Sequence, residues 1–484
     1  MRARALMWLV MSAVAGANLG CSWGRYDDVT DPDTAPIVLL NAPKELSGGF
    51  GTSLATGHLD DDAILLVGGS PLVSGGAMFI LGNSDSPGLE SRDTGHCLGG
   101  TNPCYFSASP AALTGAKGPS KTLEPLCFVD GAGSAGGTEG KQGLIARCTP
   151  SNVEYTLPIP TGAGKLLSFS IDNGQPTQFR FASDHFGVDR ADEPGLLATA
   201  DEETDVWYYP PRTREPFAEL SNPADSKGRW TKDAIRTLAI ARVGGDDPEK
   251  PDEPEKKLLA IGTASERSVR LFLDAGDGAA PSYLGCLGGT PGFGRALAAG
   301  RVDKDFFQEL VISDDHLVYV FDGEQLAKLA PTDSPDCSLG ALPEGTLVAS
   351  FTCGSTKNIS GCESSGFGKS LGVGDLDGDG DGEVVVGAPS MTVRHTSNAG
   401  AVLIYDVETG KPGVPANPYD LADIAFISSA DEDDQLGASV ALARLGTDKR
   451  GRDLLVAGAP GGGKTALFYC PSFLPAELKG SRCQ

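Results

Sequence analysis

The feature that most constrains this chain is a unit that occurs seven times: a short apolar run, a turn, and a second short apolar run. The first two copies are Ile64–Gly69 with Ala77–Leu81 and Gly143–Arg147 with Val153–Leu157. Gly195–Thr199 with Val206–Tyr209 and Leu258–Gly262 with Val269–Leu273 follow. The last three are Glu309–Ser313 with Leu317–Phe321, Val384–Pro389 with Ala401–Tyr405, and Leu454–Pro460 with Ala466–Tyr469. Runs this short, apolar and bounded by Gly, Pro and Asp read as strands. A single such pair cannot bury its own faces, so the copies must stack on one another. Each interval is long enough for a four-stranded unit of roughly 40 to 50 residues plus its loops.

The sixth copy carries the chemistry. Before its first strand lies Asp375-Leu376-Asp377-Gly378-Asp379-Gly380-Asp381-Gly382-Glu383. Asp375, Asp377, Asp379 and Glu383 fall at positions 1, 3, 5 and 9, and the Asp381 carbonyl stands at position 7. Alternate side chains of a tightly turning loop converge, and the glycines permit the turn. Calcium takes six to eight oxygens, which such a loop supplies as the start of an EF-hand does. A strand follows instead of a helix and the position-12 Glu is missing, so this is not an EF-hand. The plain alternative is a solvated acidic turn, although carboxylates this dense repel one another without a cation.

Just upstream stands Gly366-Phe367-Gly368, and the first strand closes on Gly387-Ala388-Pro389. Phe-Gly, acidic loop and Gly-Ala-Pro in this order resemble the FG-GAP repeat of integrin α-subunit β-propellers and of many bacterial surface proteins. The resemblance implies that Phe-Gly opens the unit and that calcium occupies the loop in some blades. Glu383 departs from it, since the family usually has Asp there, and the longer side chain would reshape the site. Phe50-Gly51 and Phe293-Gly294 precede copies one and five, and Leu436-Gly437 precedes copy seven. Copies two to four rest on the strand pattern alone. The expected fold is therefore all-β, a seven-bladed β-propeller of FG-GAP-like repeats over residues 35–484. Ile37–Leu40 either completes the last blade and covers its edge or is the first strand of blade one.

The N-terminus reads as an export signal. Arg2 and Arg4 precede an apolar stretch, Ala5–Gly20, too short to cross a membrane. Asn18-Leu19-Gly20-Cys21 resembles a bacterial lipoprotein box, with Asn18 departing from the usual Leu. This implies a signal peptide over 1–20, a lipid on Cys21 and a polar tether over 21–34. Cleavage after Ala17 is the alternative. Of 11 cysteines, removal of Cys21 leaves an even set, which suits disulfides in an exported chain. Sequence-local pairing gives Cys97/Cys104, Cys127/Cys148, Cys286/Cys337, Cys353/Cys362 and Cys470/Cys483; free buried thiols are the other reading.

The net charge of −25 argues against nucleic acid and anionic membrane surfaces as partners. Gly458–Thr465 satisfies the Walker A pattern, but the residues that follow, Ala466–Tyr469, read as a strand where a phosphate loop needs a helix. The sequence thus predicts no nucleotide. Acidic turns elsewhere, including Asp303 and Asp305 in copy five and Asp431–Asp434, read as solvated loops. The five histidines are scattered, without metal-ligand spacing. The expected function is a non-enzymatic, calcium-binding scaffold for a protein or glycan ligand at the cell envelope, an outer-membrane lipoprotein touching the membrane through its anchor only. The competing class is a propeller-based enzyme acting on glycans, a lyase or hydrolase.

Overall fold

The structure is a computed structural model. It describes residues 24–26, 37–42, 49–59, 62–68, 76–81, 89–92, 111–113, 126–130, 144–149, 153–157, 179–183, 196–200, 207–209, 218–219, 235–244, 256–263, 267–276, 279–303, 305–332, 337, 342–343, 345–352, 359–360, 364–376, 380–393, 395–405, 407, 425–428, 431–444 and 453–468. The leader with Cys21, the loop residues Asp377 and Asp379, and the pairs Cys97/Cys104, Cys353/Cys362 and Cys470/Cys483 lie outside them.

Among the described residues the strands form seven sheets of four or five strands, plus a two-strand pair. Six sheets are antiparallel throughout, and the other gains one parallel strand. The innermost strands are Ser53–Leu59, Ala111–Leu113, Phe179–Ser183, Ile235–Arg242, Leu297–Gly300, Ser370–Gly374 and Ser439–Arg444. Each touches the next along the chain, and Ser439–Arg444 returns to Ser53–Leu59, so the contacts close a ring. This is the all-β propeller arrangement expected from the repeats. Each expected hairpin falls in a different sheet. In the second sheet it forms the outer two strands, because Leu126–Asp130 comes before it.

The apolar runs are continuous because their strands are covered on both faces. Lys257–Thr263, Glu383–Ala388 and Ala401–Tyr405 are buried along their whole length. Alternation along a strand then sorts side chains between neighbours. Val384, Val386, Leu403 and Tyr405 pack with Val311, Val320 and Phe351 of the fifth sheet. Val385, Val402 and Ile404 pack with Leu455, Ala457 and Phe468 of the seventh. The core is thus a series of layers between successive sheets.

The Phe-Gly and Gly-Ala-Pro signatures meet across these layers. Phe50, Phe293, Phe367 and Leu436 are each fully buried. The glycine after each has a positive φ: 90° at Gly51, 79° at Gly294, 76° at Gly368 and 85° at Gly437. That left-handed turn favours glycine. It presses the glycine against the preceding sheet, where a Cβ on Gly262, Gly387 or Gly458 would collide with the carbonyl oxygen of Gly294, Gly437 or Gly51 respectively. A hydroxyl paired in register with the sheet's glycine fastens the seam. Thr237 donates to the Gly294 carbonyl (2.8 Å), Ser370 to that of Gly437 (2.8 Å) and Ser439 to that of Gly51 (2.7 Å).

Closure uses the N-terminus. Ile37–Asn41 pairs antiparallel with Lys464–Phe468 and supplies the fourth strand of the last sheet. It is therefore not the first strand of blade one. Gly24–Tyr26, within the segment expected to be only a tether, adds in parallel to Ala425–Ser428 at the rim of the sixth sheet. The predicted Cys286–Cys337 disulfide is present and ties the outer strand of the fourth sheet to the segment before Leu347–Thr352. Cys127 and Cys148 stand directly opposite on neighbouring strands, as a bridge between them would need.

Candidate metal-binding loops of the fifth and sixth sheets

The acidic loop joins the inner strand Ser370–Gly374 to the strand Glu383–Ala388, with Gly374 opposite Glu383. Of the five predicted ligand residues, Asp375, Asp381 and Glu383 are described. Asp375 is 8% exposed and Glu383 only 2%, while Asp381 is half-buried. One Asp375 oxygen accepts the Gly380 N–H (3.1 Å) and so holds the loop curled. Glu383 folds back so that its Oε2 accepts the Leu376 N–H at 2.7 Å. This is the use of the longer side chain, since the carboxylate clasps the far end of the loop from the strand. Asp375 also reaches the seventh sheet, its N–H donating to Asp453 Oδ2 (2.9 Å) and its carbonyl accepting the Asp453 N–H (2.6 Å). Asp375 and Glu383 are thus buried oxygen donors on one short loop, of the kind a hard divalent cation takes, but among the described residues Asp375, Asp381 and Glu383 do not form a three-carboxylate cluster.

The fifth sheet repeats this construction. Gly300 pairs with Glu309 as Gly374 pairs with Glu383, so both loops contain eight residues. Glu309 Oε2 accepts the Val302 N–H at 2.8 Å, the same clasp as in the sixth sheet. Asp303, Asp305 and Glu309 bring one carboxylate oxygen each within 4.8 Å of one another. The turn is not simply solvated as the sequence suggested, because Glu309 is 2% exposed. The sequence signal was the retained carboxylates at positions 3, 5 and 9. They are obscured by Arg301, Lys304, Phe306 and Phe307, which stand where the sixth loop has Asp375, Gly378, Gly380 and Asp381.

Electrostatics shows how the fifth loop tolerates its charges. Burial pushes the Glu309 carboxyl up to about 9, with Asp303 and Asp305 adding to the rise against the pull of the Val302 N–H. Burial likewise raises Asp305 to about 6, opposed by its bond from the Phe307 N–H and reinforced by Asp303. Glu309 therefore holds a proton at neutral pH. Asp303 and Asp305 each accept the N–H two residues on, at 3.0 and 2.7 Å.

The Walker-like stretch is a hairpin, Asp453–Ala459 turning directly into Lys464–Phe468. Lys464 Nζ lies 2.8 Å from Asp431 and 3.3 Å from the buried Asp434. Asp431 and Asp434, expected to be loop residues, are thus partners of this lysine. His316 and His395 lie exposed on turns. Asp314 is buried under the former turn, accepting the His316 N–H (2.6 Å), the Tyr319 hydroxyl (3.0 Å) and the Thr290 hydroxyl.

Comparison with known proteins agrees at this site. The FG-GAP repeat family matches residues 367–405, which span Phe-Gly, the acidic loop, Gly-Ala-Pro and the strand after it. No curated protein matches the chain. Among solved structures, the C-terminal WD40 domain of Sif2 aligns with 90% of this chain and 99% of its own at 11% identity. Its TM-score of 0.40 is too low to carry an argument.

Proposed function

We propose that the chain is a non-enzymatic, exported propeller of seven blades that binds calcium in its sixth blade and presents its loops to a protein or glycan ligand at the cell envelope. The observation that carries the calcium reading is the loop Asp375–Glu383, with Asp375 and Glu383 buried in one short turn. Asp375, Asp377 and Asp379 supply side-chain oxygens, Asp381 its carbonyl, and Glu383 one or two carboxylate oxygens. The ion neutralises the cluster and stiffens the junction between the sixth and seventh blades, where Asp375 meets Asp453. Support for seven blades comes from the closed cycle of inner strands. The lipoprotein-like Asn18–Cys21 supports an outer-membrane anchor on Cys21.

Purified protein tested against envelope glycans and envelope protein fractions, with and without chelator, examines this function. Saturable binding without turnover is expected. Reproducible cleavage of a glycan by the purified chain would overturn it in favour of a propeller-based lyase or hydrolase.

A further inference from the structure

We infer that the N-terminal strand Gly24–Tyr26 shortens the lipid tether and holds the rim of the sixth sheet against the bilayer. The inference rests on the lipidation of Cys21 proposed above. The strand lies parallel to Ala425–Ser428, with Gly24 opposite Ala425, Arg25 opposite Phe426 and Tyr26 opposite Ile427. It is the one parallel pairing in the seven sheets described. Parallel neighbours cannot be joined by a hairpin, so this strand is a docked segment from elsewhere in the chain rather than part of the sheet's own meander.

Docking changes the reach of the anchor. Only Ser22 and Trp23 separate Cys21 from Gly24. A fully extended chain advances about 3.3 to 3.6 Å per residue, so the lipidated residue lies within about 11 Å of the sheet's rim. If the strand were undocked, the first fixed point would be Ile37 in the seventh sheet, and the same estimate would allow about 55 Å. The short leash selects the outer edge of the sixth sheet as the membrane-facing side. Contact with the bilayer is made by the lipid on Cys21, which brings this rim close to the headgroups despite the net charge of −25. The inner strands and the loops at both ends of the sheets are then held side-on to the bilayer.

Two insertions of a twelve-residue Gly/Ser segment test this in full-length protein reconstituted on a supported bilayer. One lies between Trp23 and Gly24, the other between Asp28 and Val29. Neutron reflectivity reads the height of the protein. The first insertion should raise it by up to about 20 Å, the root-mean-square span of such a linker. The second should leave it unchanged, because it lies beyond the docked strand. Equal rises from both insertions would overturn the inference.

Replacing Arg25 and Tyr26 together by proline removes two successive N–H groups, one of which must face the sheet. Amide exchange at Ala425–Ser428 should then accelerate at least tenfold and the protein should rise from the bilayer. Unchanged exchange would refute the docking itself. Mass spectrometry of the mature N-terminus separates the premise from the inference. An unacylated Cys21 removes the anchor and with it the membrane contact, whatever the exchange data say about the strand.

Discussion

The fifth and sixth sheets build the same loop and neutralise it by different means. Both loops span eight residues between a paired glycine and glutamate, and in both the glutamate clasps a backbone N–H at the loop's far end. In sequence the sixth loop carries Asp375, Asp377, Asp379 and Asp381 interspersed with three glycines. In the proposed reading, calcium balances this charge. The fifth replaces the first aspartate with Arg301 and fills the turn with Phe306 and Phe307, and Glu309 keeps its proton. The lesson is that the clasp belongs to the architecture of the blade, whereas the proposed ion would depend on the carboxylates added around it.

The seams beside these loops differ in the same manner. In the sixth sheet Ser370 stands opposite Gly387, and its hydroxyl reaches the next sheet's Gly437 carbonyl. In the fifth the pair is exchanged: Ala296 immediately precedes the inner strand and Ser313 ends its neighbour, and Ser313 Oγ donates to the Gly368 carbonyl at 2.7 Å. The bond survives although the side chain comes from the other strand.

The largest expected effect tests that seam. Gly387→Ala would drive a Cβ into the Gly437 carbonyl and the Ser370 hydroxyl, and should cost about 3 kcal/mol by denaturant unfolding. A near-neutral result would mean that the close approach of the two backbones is not required. Next comes the sixth loop. Asp377→Ala with Asp379→Ala should abolish the stabilisation by calcium, about 2.7 kcal/mol at a hundredfold excess of ion over its dissociation constant. Thermal melts with added calcium and with chelator measure the difference.

An effect smaller per pH unit separates proton from ion in the fifth loop. The folded Glu309 carboxyl, at about 9, lies above its unfolded value of 4.5. Its contribution is fully present below the unfolded value and is lost as pH rises toward and through about 9. Calcium-free protein should therefore lose up to about 1.4 kcal/mol per pH unit between these limits from this one proton. Glu309→Gln should flatten that slope, and an unchanged slope would contradict the assignment. The smallest change is Ser313→Ala, expected to cost about 1 kcal/mol for the lost bonds to the Gly368 carbonyl and from the Ala296 N–H. The exchange Ala296→Ser with Ser313→Gly should recover most of it by recreating the arrangement of the sixth sheet.

Much of this was legible because strands buried on both faces leave continuous apolar runs, as in Val384–Val386 and Leu258–Ile261. Rim strands such as Leu89–Arg92 and Ala218–Glu219 left little signal, being short and partly polar. The second hairpin sits one strand further out than in the other sheets, because Leu126–Asp130, an apolar run beside the inner strand, precedes it and was not recognised. At the site, the alternating carboxylates of the sixth loop were plain. The fifth loop was not, because Phe306 and Phe307 break the Gly-Asp alternation, and its kinship appears only in the pairing of Gly300 with Glu309. The fold-back of Glu383 onto the Leu376 N–H depends on how the loop closes, which side-chain identity alone does not specify.

The central claim is that the sixth loop takes calcium while the fifth takes a proton. Isothermal titration calorimetry of chelator-treated, dialysed protein at neutral pH tests it directly, run beside the Asp377→Ala, Asp379→Ala variant. The account predicts a single calcium per chain in the parent and none in the variant. Two ions per chain, or one that persists in the variant, would contradict it, as would the absence of binding in the parent.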